Sequence, residues 1–204
     1  MIGMALKPTT QVFTMREGVS QQIPFDASAT GSGMETVSMN TNLDTLNREV
    51  LLIQEVDFDL LGLSYWAGVQ SRINASVDEA VQWLNTSLEI ILTEVDPAVD
   101  PNALMLDSPH FIASRSIQTV AGLWGQSTEN PDTASYTSQA GKNHALFTTA
   151  SDSLYLTFAY SFNGNNSATM SGVNPTVRGL SRIMCQRAKA DADTYAAILT
   201  GLYA

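Results

Sequence analysis

The chain is short of the residues from which most active sites are built. It has one cysteine, Cys185, and two histidines, His110 and His144, in 204 residues. A lone cysteine excludes an intrachain disulfide framework and any zinc or iron–sulfur site built from several thiolates. Charge is scarce as well. Only 15% of residues are Asp, Glu, Lys or Arg, and bases are the rarer kind, 10 against 20 acids, for a net charge of −10. So few bases argue against free nucleic acid or an anionic bilayer as a direct partner. No apolar run approaches the roughly 20 residues of a transmembrane helix, and the N-terminus lacks the basic start and apolar core of a signal peptide. There is no G-x-x-x-x-G-K-[ST], no G-x-G-x-x-G and no G-x-S-x-G, which removes the commonest phosphate-binding and serine-nucleophile signatures.

What fills the gap is uncharged polarity. Ser, Thr, Asn and Gln account for 62 of the 204 residues, beside a hydrophobic fraction of 44%. That is enough apolar chain for a real core in one ordinary domain, 1–204. The first 43 residues, nearly neutral, read as an extended N-terminal arm.

Periodicity points to strands. In Ser153–Asn163, Leu154, Leu156, Phe158, Tyr160 and Phe162 alternate with Tyr155, Thr157, Ala159 and Ser161, the period-2 pattern of a half-buried strand. The Asn163-Gly164-Asn165-Asn166 that follows is a turn signal. In Val50–Leu60, Val50, Leu52, Val56, Phe58 and Leu60 share a face interrupted by Gln54, while Glu55, Asp57 and Asp59 point the other way. Gln11–Met15, Glu35–Met39, Phe111–Ala121 and Leu180–Ala188 are further strand candidates, with shorter ones near Leu146 and Met170. Residues 76–95 read two ways. Ser76-Val77-Asp78-Glu79 has the form of a capping box, with helical spacing after it. Ser87–Val95 equally forms a β run, and the surrounding strand patterns favour a strand. Thr30-Gly31-Ser32-Gly33 and Gly125–Lys142 read as surface loops. At the end, Tyr195, Ile198, Leu199 and Leu202 recur at helical spacing behind Asp191 or Asp193 as cap. Many short strands and one terminal helix predict an all-β fold, an antiparallel β-sandwich or single jelly roll with a short C-terminal helix.

The charge is segregated. Residues 44–107 hold twelve acids and two bases, whereas Arg178, Arg182, Arg187 and Lys189 place four of the ten bases in one short stretch. Glu55, Asp57 and Asp59 can meet that basic stretch within the molecule or between copies, or simply face solvent. Paired carboxylates at i and i+2 also suit a glycosidase, given a cleft. The run carrying Asp96 and Asp100, with Asp107 beyond, offers oxygens of the kind Ca²⁺ requires but matches no EF-hand. Its two Asp-Pro steps equally serve as turn makers. No other cofactor is indicated. His110 and His144 read as loop residues or satisfied polar groups. Tyr65-Trp66, Trp83 and Trp124 serve either as a sugar-stacking platform or as core and interface anchors.

The many short strands, the Thr/Ser/Asn-rich loops, the low charge, and the final stretch Leu180–Ala190 running into Asp191–Leu199 resemble the single jelly-roll capsid proteins of small icosahedral viruses. The run Leu88–Val95, the Asp96–Asp107 turn and Phe111-Ile112-Ala113 share that likeness. The resemblance implies a non-enzymatic coat protein of the virion that self-assembles into an icosahedral shell, with copies of itself and other capsid proteins as partners. Glu55, Asp57, Asp59, Arg178, Arg182, Arg187 and Lys189 then become subunit-interface candidates. One departure matters. The Arg/Lys-rich arm that neutralises a packaged genome is missing, so genome charge would have to be met by other means. The alternative that stays open is an extracellular β-sandwich module binding carbohydrate or Ca²⁺.

Overall fold

A computed structural model describes residues 6–23, 30–61, 82–123, 132–141, 147–164 and 176–202. The elements are β1 (Lys7–Pro8), β2 (Phe13–Gln22), β3 (Thr30–Asn40), β4 (Glu49–Leu61), β5 (Gln82–Thr93), β6 (Phe111–Leu123), β7 (Asp132–Gly141), β8 (Phe147–Thr149), β9 (Ser153–Gly164), β10 (Thr176–Lys189) and α1 (Ala192–Leu202).

They form two antiparallel sheets. One runs β2–β10–β4–β8, with the short β1 continuing beside β10 beyond β2; the other runs β3–β9–β5–β6–β7. Apart from β7, the pairing follows one rule: β2 with β10, β3 with β9, β4 with β8, β5 with β6. The chain is thus a long hairpin rolled up so that successive strands alternate between sheets, which is the jelly roll. The all-β sandwich with a C-terminal helix expected from the sequence is the fold observed.

The core lies between the sheets. Leu154, Leu156 and Phe158 of β9, Ile90 and Leu92 of β5, and Ile183 of β10 are fully buried there. A second, smaller cluster sits on the outside of the β10–β4 sheet. Val50, Ala188 and Ala190 are covered by Tyr195, Ile198 and Leu199 of α1. Asp191 caps this helix, its Oδ1 accepting from the Thr194 amide at 2.8 Å, and those amide bonds lower the pKa of its carboxyl. Asp193 lies inside the first turn, where its charge suits the helix dipole.

Two apolar environments around one strand require a device in β4. Between Ile53, opposite Cys185, and Glu55, opposite Met184, β4 carries one extra residue, Gln54. Because side chains alternate strictly, a one-residue bulge inverts everything after it. Leu51 and Ile53 face the core before the bulge, and Val56 and Phe58 face it afterwards. Val50 and Leu52 therefore lie beneath α1, not on the face of Val56 and Phe58 as the simple alternation predicts. The same inversion turns Glu55, Asp57 and Asp59 outward.

Other expectations change too. Residues 1–43 do not form a free arm over their described length, because β2 and β3 are strands of the two sheets. Each is paired along its whole length, with β10 and with β9. Thr30-Gly31-Ser32-Gly33 opens β3 instead of forming a loop. Its glycines are needed because Phe162 and Tyr160, directly opposite on β9, lie across them. Within 125–142, residues 132–141 are β7, hydrogen-bonded to β6. Residues 82–93 are strand. Residues 76–81, Tyr65, Trp66, Trp124, His144, Leu146 and Met170 fall outside the described residues, as does the side chain of Trp83.

Candidate functional site

The outward face of β2, β10 and β4 gathers Glu55, Asp57, Asp59, Arg178 and Arg182, five of the seven charged residues offered as subunit contacts. Register fixes their neighbours. Arg182 of β10 stands between Arg16 of β2 and Asp57 of β4. The next outward row places Leu180 between Gly18 and Asp59, and the one beyond places Arg178 between Ser20 and Leu61. Arg182 donates to Asp57 Oδ2 from Nε at 2.9 Å and from Nη2 as well. That bonding, with the nearby charge of Glu55, raises the pKa of the guanidinium. Both side chains are about half exposed, at 52% and 42%, so the pair orients the row more than it stabilises the fold.

Around this row lies a depression of about 520 Å³, lined by Arg16, Gly18, Phe58, Asp59, Leu180 and Ser181 among others. A Cβ on Gly18 would sit 2.7 Å from Leu180 Cδ2, which lies across it. Arg16, Gly18 and Leu180 were not among the residues singled out. Their role follows only from the β2–β10 pairing, about 165 residues apart in sequence, and no local pattern announces such a pairing.

The remaining basic candidates divide. Arg178 and Lys189 are exposed, Lys189 standing between Lys7 and Glu49. Arg187 is half-buried and engaged within the chain. Its guanidinium lies 5.5 Å from the centroid of the Phe13 ring and donates to the Thr41 carbonyl at 3.0 Å. The acids Asp57 and Asp59 sit on this open face, and Asp57 Oδ2 is taken up by Arg182.

Asp96, Asp100 and Asp107 lie in the 94–110 connection between β5 and β6. Asp96 Oδ1 accepts from the Ala98 amide at 2.9 Å, and Asp100 Oδ1 accepts from the Asn102 amide at 3.0 Å, capping the short 3₁₀ turn Pro101–Leu104. Asp107 is exposed. The Asp96 and Asp100 carboxylates serve as turn makers, and among the described residues no three His, Cys, Asp or Glu side chains come together as a metal-holding group.

At the root of this connection, Glu94 and His110 face each other. Glu94 Oε1 is 3.2 Å from His110 Nδ1, and each side chain is 9% exposed. The Glu94 amide donates to the His110 carbonyl at 3.1 Å, and Ser151 Oγ donates to the Glu94 carbonyl at 3.2 Å. His110 is thus a satisfied polar group that closes a loop. Ser151 Oγ is engaged with backbone groups, the carbonyls of Glu94 and Ser153 and the Ser153 amide.

No protein-family profile matches the chain, and no curated protein matches it. Among solved structures it is similar to VP1 of the Trichodysplasia spinulosa-associated polyomavirus, at 12% identity and a TM-score of 0.34, covering 92% of this chain and all of that one. It is similar also to apo chimpanzee polyomavirus VP1, at 7% identity and a TM-score of 0.38, over 92% and 99% of the two chains. A third is the unassembled pentamer of Merkel cell polyomavirus VP1, at 6% identity and a TM-score of 0.35, over the same shares. Likeness of this degree says nothing about which residues act. Among the described residues no helix is long and apolar enough to cross a membrane.

Proposed function

We propose that this chain is a structural coat protein whose copies assemble into an icosahedral viral shell. The observation that carries the reading is the strand order. A complete jelly roll pairs β2 with β10, β3 with β9, β4 with β8 and β5 with β6, and it is closed at its end by a helix packed on the outer face of one sheet. The jelly roll hosts lectins and cupins as well as coat proteins, so surface chemistry has to choose among them. Here the surface is rich in uncharged polar residues. Its charged groups sit in cross-strand rows on an open face, and the buried Glu94 and His110 bond each other. Such a surface suits repeated protein–protein contact, in which polar rims surround apolar cores. Closed symmetric assembly then follows from repeating one contact geometry.

On this reading Glu55, Asp57, Asp59, Arg178, Arg182 and Lys189 lie at or near subunit contacts, and the protein resides in the virion without enzymatic activity. Electron microscopy together with light scattering tests the reading. Purified protein should form closed particles of uniform size as concentration rises. A chain that stays monomeric across concentration and salt refutes it.

A further inference from the structure

We infer that the end of the sandwich formed by the 41–48 and 94–110 connections is a contact surface for a second copy of this chain, which meets it through Arg16 and Arg178. The inference rests on the self-assembly reading and names the surfaces used.

Exposed apolar side chains are concentrated there. Among the described residues six large hydrophobics are strongly exposed, and four of them, Leu46 at 95%, Val99 at 80%, Leu106 at 66% and Met105 at 55%, lie in these two connections. The connections are neighbours at one end of the molecule. Thr41 donates to the carbonyls of Ser151 and Asp152, and Ser151 donates to that of Glu94.

The apolar residues are also held on prebuilt turns. Leu46 is the middle of a 3₁₀ turn, Thr45–Asn47, stapled by Asp44. Asp44 accepts from the Asn47 amide at 3.2 Å and from Asn47 Nδ2 at 2.6 Å, and its own amide donates to Glu49 Oε2 at 3.1 Å. Val99 rides on the Asp96 turn, its amide donating to the Asp96 carbonyl at 2.9 Å. Met105 follows the turn capped by Asp100, and its amide closes that turn on the Asn102 carbonyl at 2.9 Å. Ordering has been met before any contact forms, which is what makes an exposed apolar group effective in association.

Charge selects the occupant. The 94–110 connection presents Asp96, Asp100 and Asp107 to the surface and no Lys or Arg, while Asp44 and Arg48 of the 41–48 connection balance each other. A surface of that sign repels phosphate-bearing partners and anionic bilayers and favours one with basic groups. The chain carries such groups itself, on the face that also holds Glu55, Asp57 and Asp59. Arg16 and Arg178 are exposed on the outer face of β2 and β10, and neither has an ion pair among the described residues. Arg16 additionally stands opposite Arg182, a like-charged neighbour that an incoming carboxylate would relieve. A contact between two different patches is heterologous, the kind that repeats around a ring or across a shell.

The test uses the full chain in sedimentation velocity, with L46S/L106S as the loop variant and R16E/R178E as the basic-face variant. All four positions are exposed, so both variants should keep the wild-type urea midpoint; L106S alone is the fallback for the loop arm. Each variant by itself should lose self-association through this contact by roughly a hundredfold or more. Mixed in equal amounts they should form dimers that grow no further, because each supplies the patch the other has lost. Wild-type protein that never associates refutes the coat reading itself. Wild-type protein that assembles while both variants assemble equally well overturns only this inference. If the loop variant fails and R16E/R178E still assembles, the named occupant is wrong and the inference falls.

Discussion

Alanine at Gly33 should unfold the sandwich more easily, although Gly→Ala in an extended strand is ordinarily stabilising. A Cβ at Gly33 would lie 2.5 Å from Tyr160 Cε1, 2.7 Å from its Cζ and 2.6 Å from its hydroxyl oxygen, where ordinary contacts need about 3.5–4.0 Å. The ring must therefore retreat by about 1 Å or leave its site. It has little room to do so. Tyr160 is 7% exposed, and its ring stacks on Phe162 with centroids 6.3 Å apart and planes 5° from parallel. Phe162 in turn lies across Gly31. Expelling the ring from its site costs about 1.5–3 kcal/mol, and loss of the stacked pair adds roughly 0.5–1.5 kcal/mol. The smaller entropy of an unfolded alanine returns only about 0.4–1 kcal/mol. A net loss of roughly 2–3 kcal/mol follows, read as a fall of about 1 M in the urea midpoint. Gly201 supplies the control. It lies in α1 with no atom within 4 Å of a would-be Cβ, so G201A should gain about 0.5 kcal/mol from helix propensity. In a Y160A background, where the ring is gone, G33A should cost little, making the two sites strongly non-additive. A G33A protein as stable as wild type, or additivity with Y160A, would refute the close-approach argument.

Further expectations concern four ionisable groups. Burial pushes the Cys185 thiol from its ordinary 9.0 up to about 11. The unfolded chain therefore loses that proton first, and stability should fall as pH rises from about 9 towards 11; C185A should flatten that slope in pH-dependent urea melts. The same burial should leave native Cys185 unlabelled by a thiol reagent at pH 8 until the chain opens. Desolvation raises the pKa of half-buried Glu89, against the opposing bond from Ser114, so E89Q should melt higher than wild type at pH 7. The difference should shrink as pH falls into the carboxylate range, because the folded wild type gains its proton first. Truncating Glu94 to Ala strands the His110 ring, whose side chain is 9% exposed; a loss of roughly 1–3 kcal/mol in chemical denaturation is expected. By contrast, D57N should change stability by no more than about 1 kcal/mol, since exposed pairs contribute little.

Much of the sandwich was legible because it depends on local alternation. Ser153–Asn163 reads as a strand with Leu154, Leu156 and Phe158 inward, and those three are fully buried. The terminal helix reads correctly from Tyr195, Ile198 and Leu199, which face the outer cluster. Errors arose where a distant partner overrides local preference. Gly31 and Gly33 look like a flexible loop until Phe162 and Tyr160 are placed across them, about 130 residues away in sequence. β7 carries mostly small polar residues and gains its strand character from pairing with β6. The charged face was half legible. The outward row Glu55, Asp57, Asp59 could be read from alternation, but Arg16 could not, because only the β2–β10 register sets it beside Arg182.

The bulge at Gln54 links these levels. Val50, Leu51, Leu52 and Ile53 are all apolar, so the first half of β4 serves two apolar environments at once, the core on one side and α1 on the other. Its second half alternates carboxylates with Val56 and Phe58 and tolerates only one orientation, since a carboxylate turned into the core would be left without water or a partner. Neither half alone fixes how they join. One extra residue reconciles them, and it does so where β10 passes from covering the core to supporting the helix. The acidic row on the open face is therefore a consequence of the same insertion that lets α1 close the sandwich. The cross-strand pairing of Asp57 with Arg182 follows from register once that inversion is made. The segregation of acids into residues 44–107 and of bases into the last strand thus has an internal meaning before any assembly. β4 and β10 are neighbours in one sheet, and part of the opposite charge is matched inside each copy. Among the described residues Arg16 and Arg178, with Glu55 and Asp59 beside them, and the exposed acids of the 94–110 connection have no ion pair within the chain, and on the proposed reading these are the groups that other copies meet.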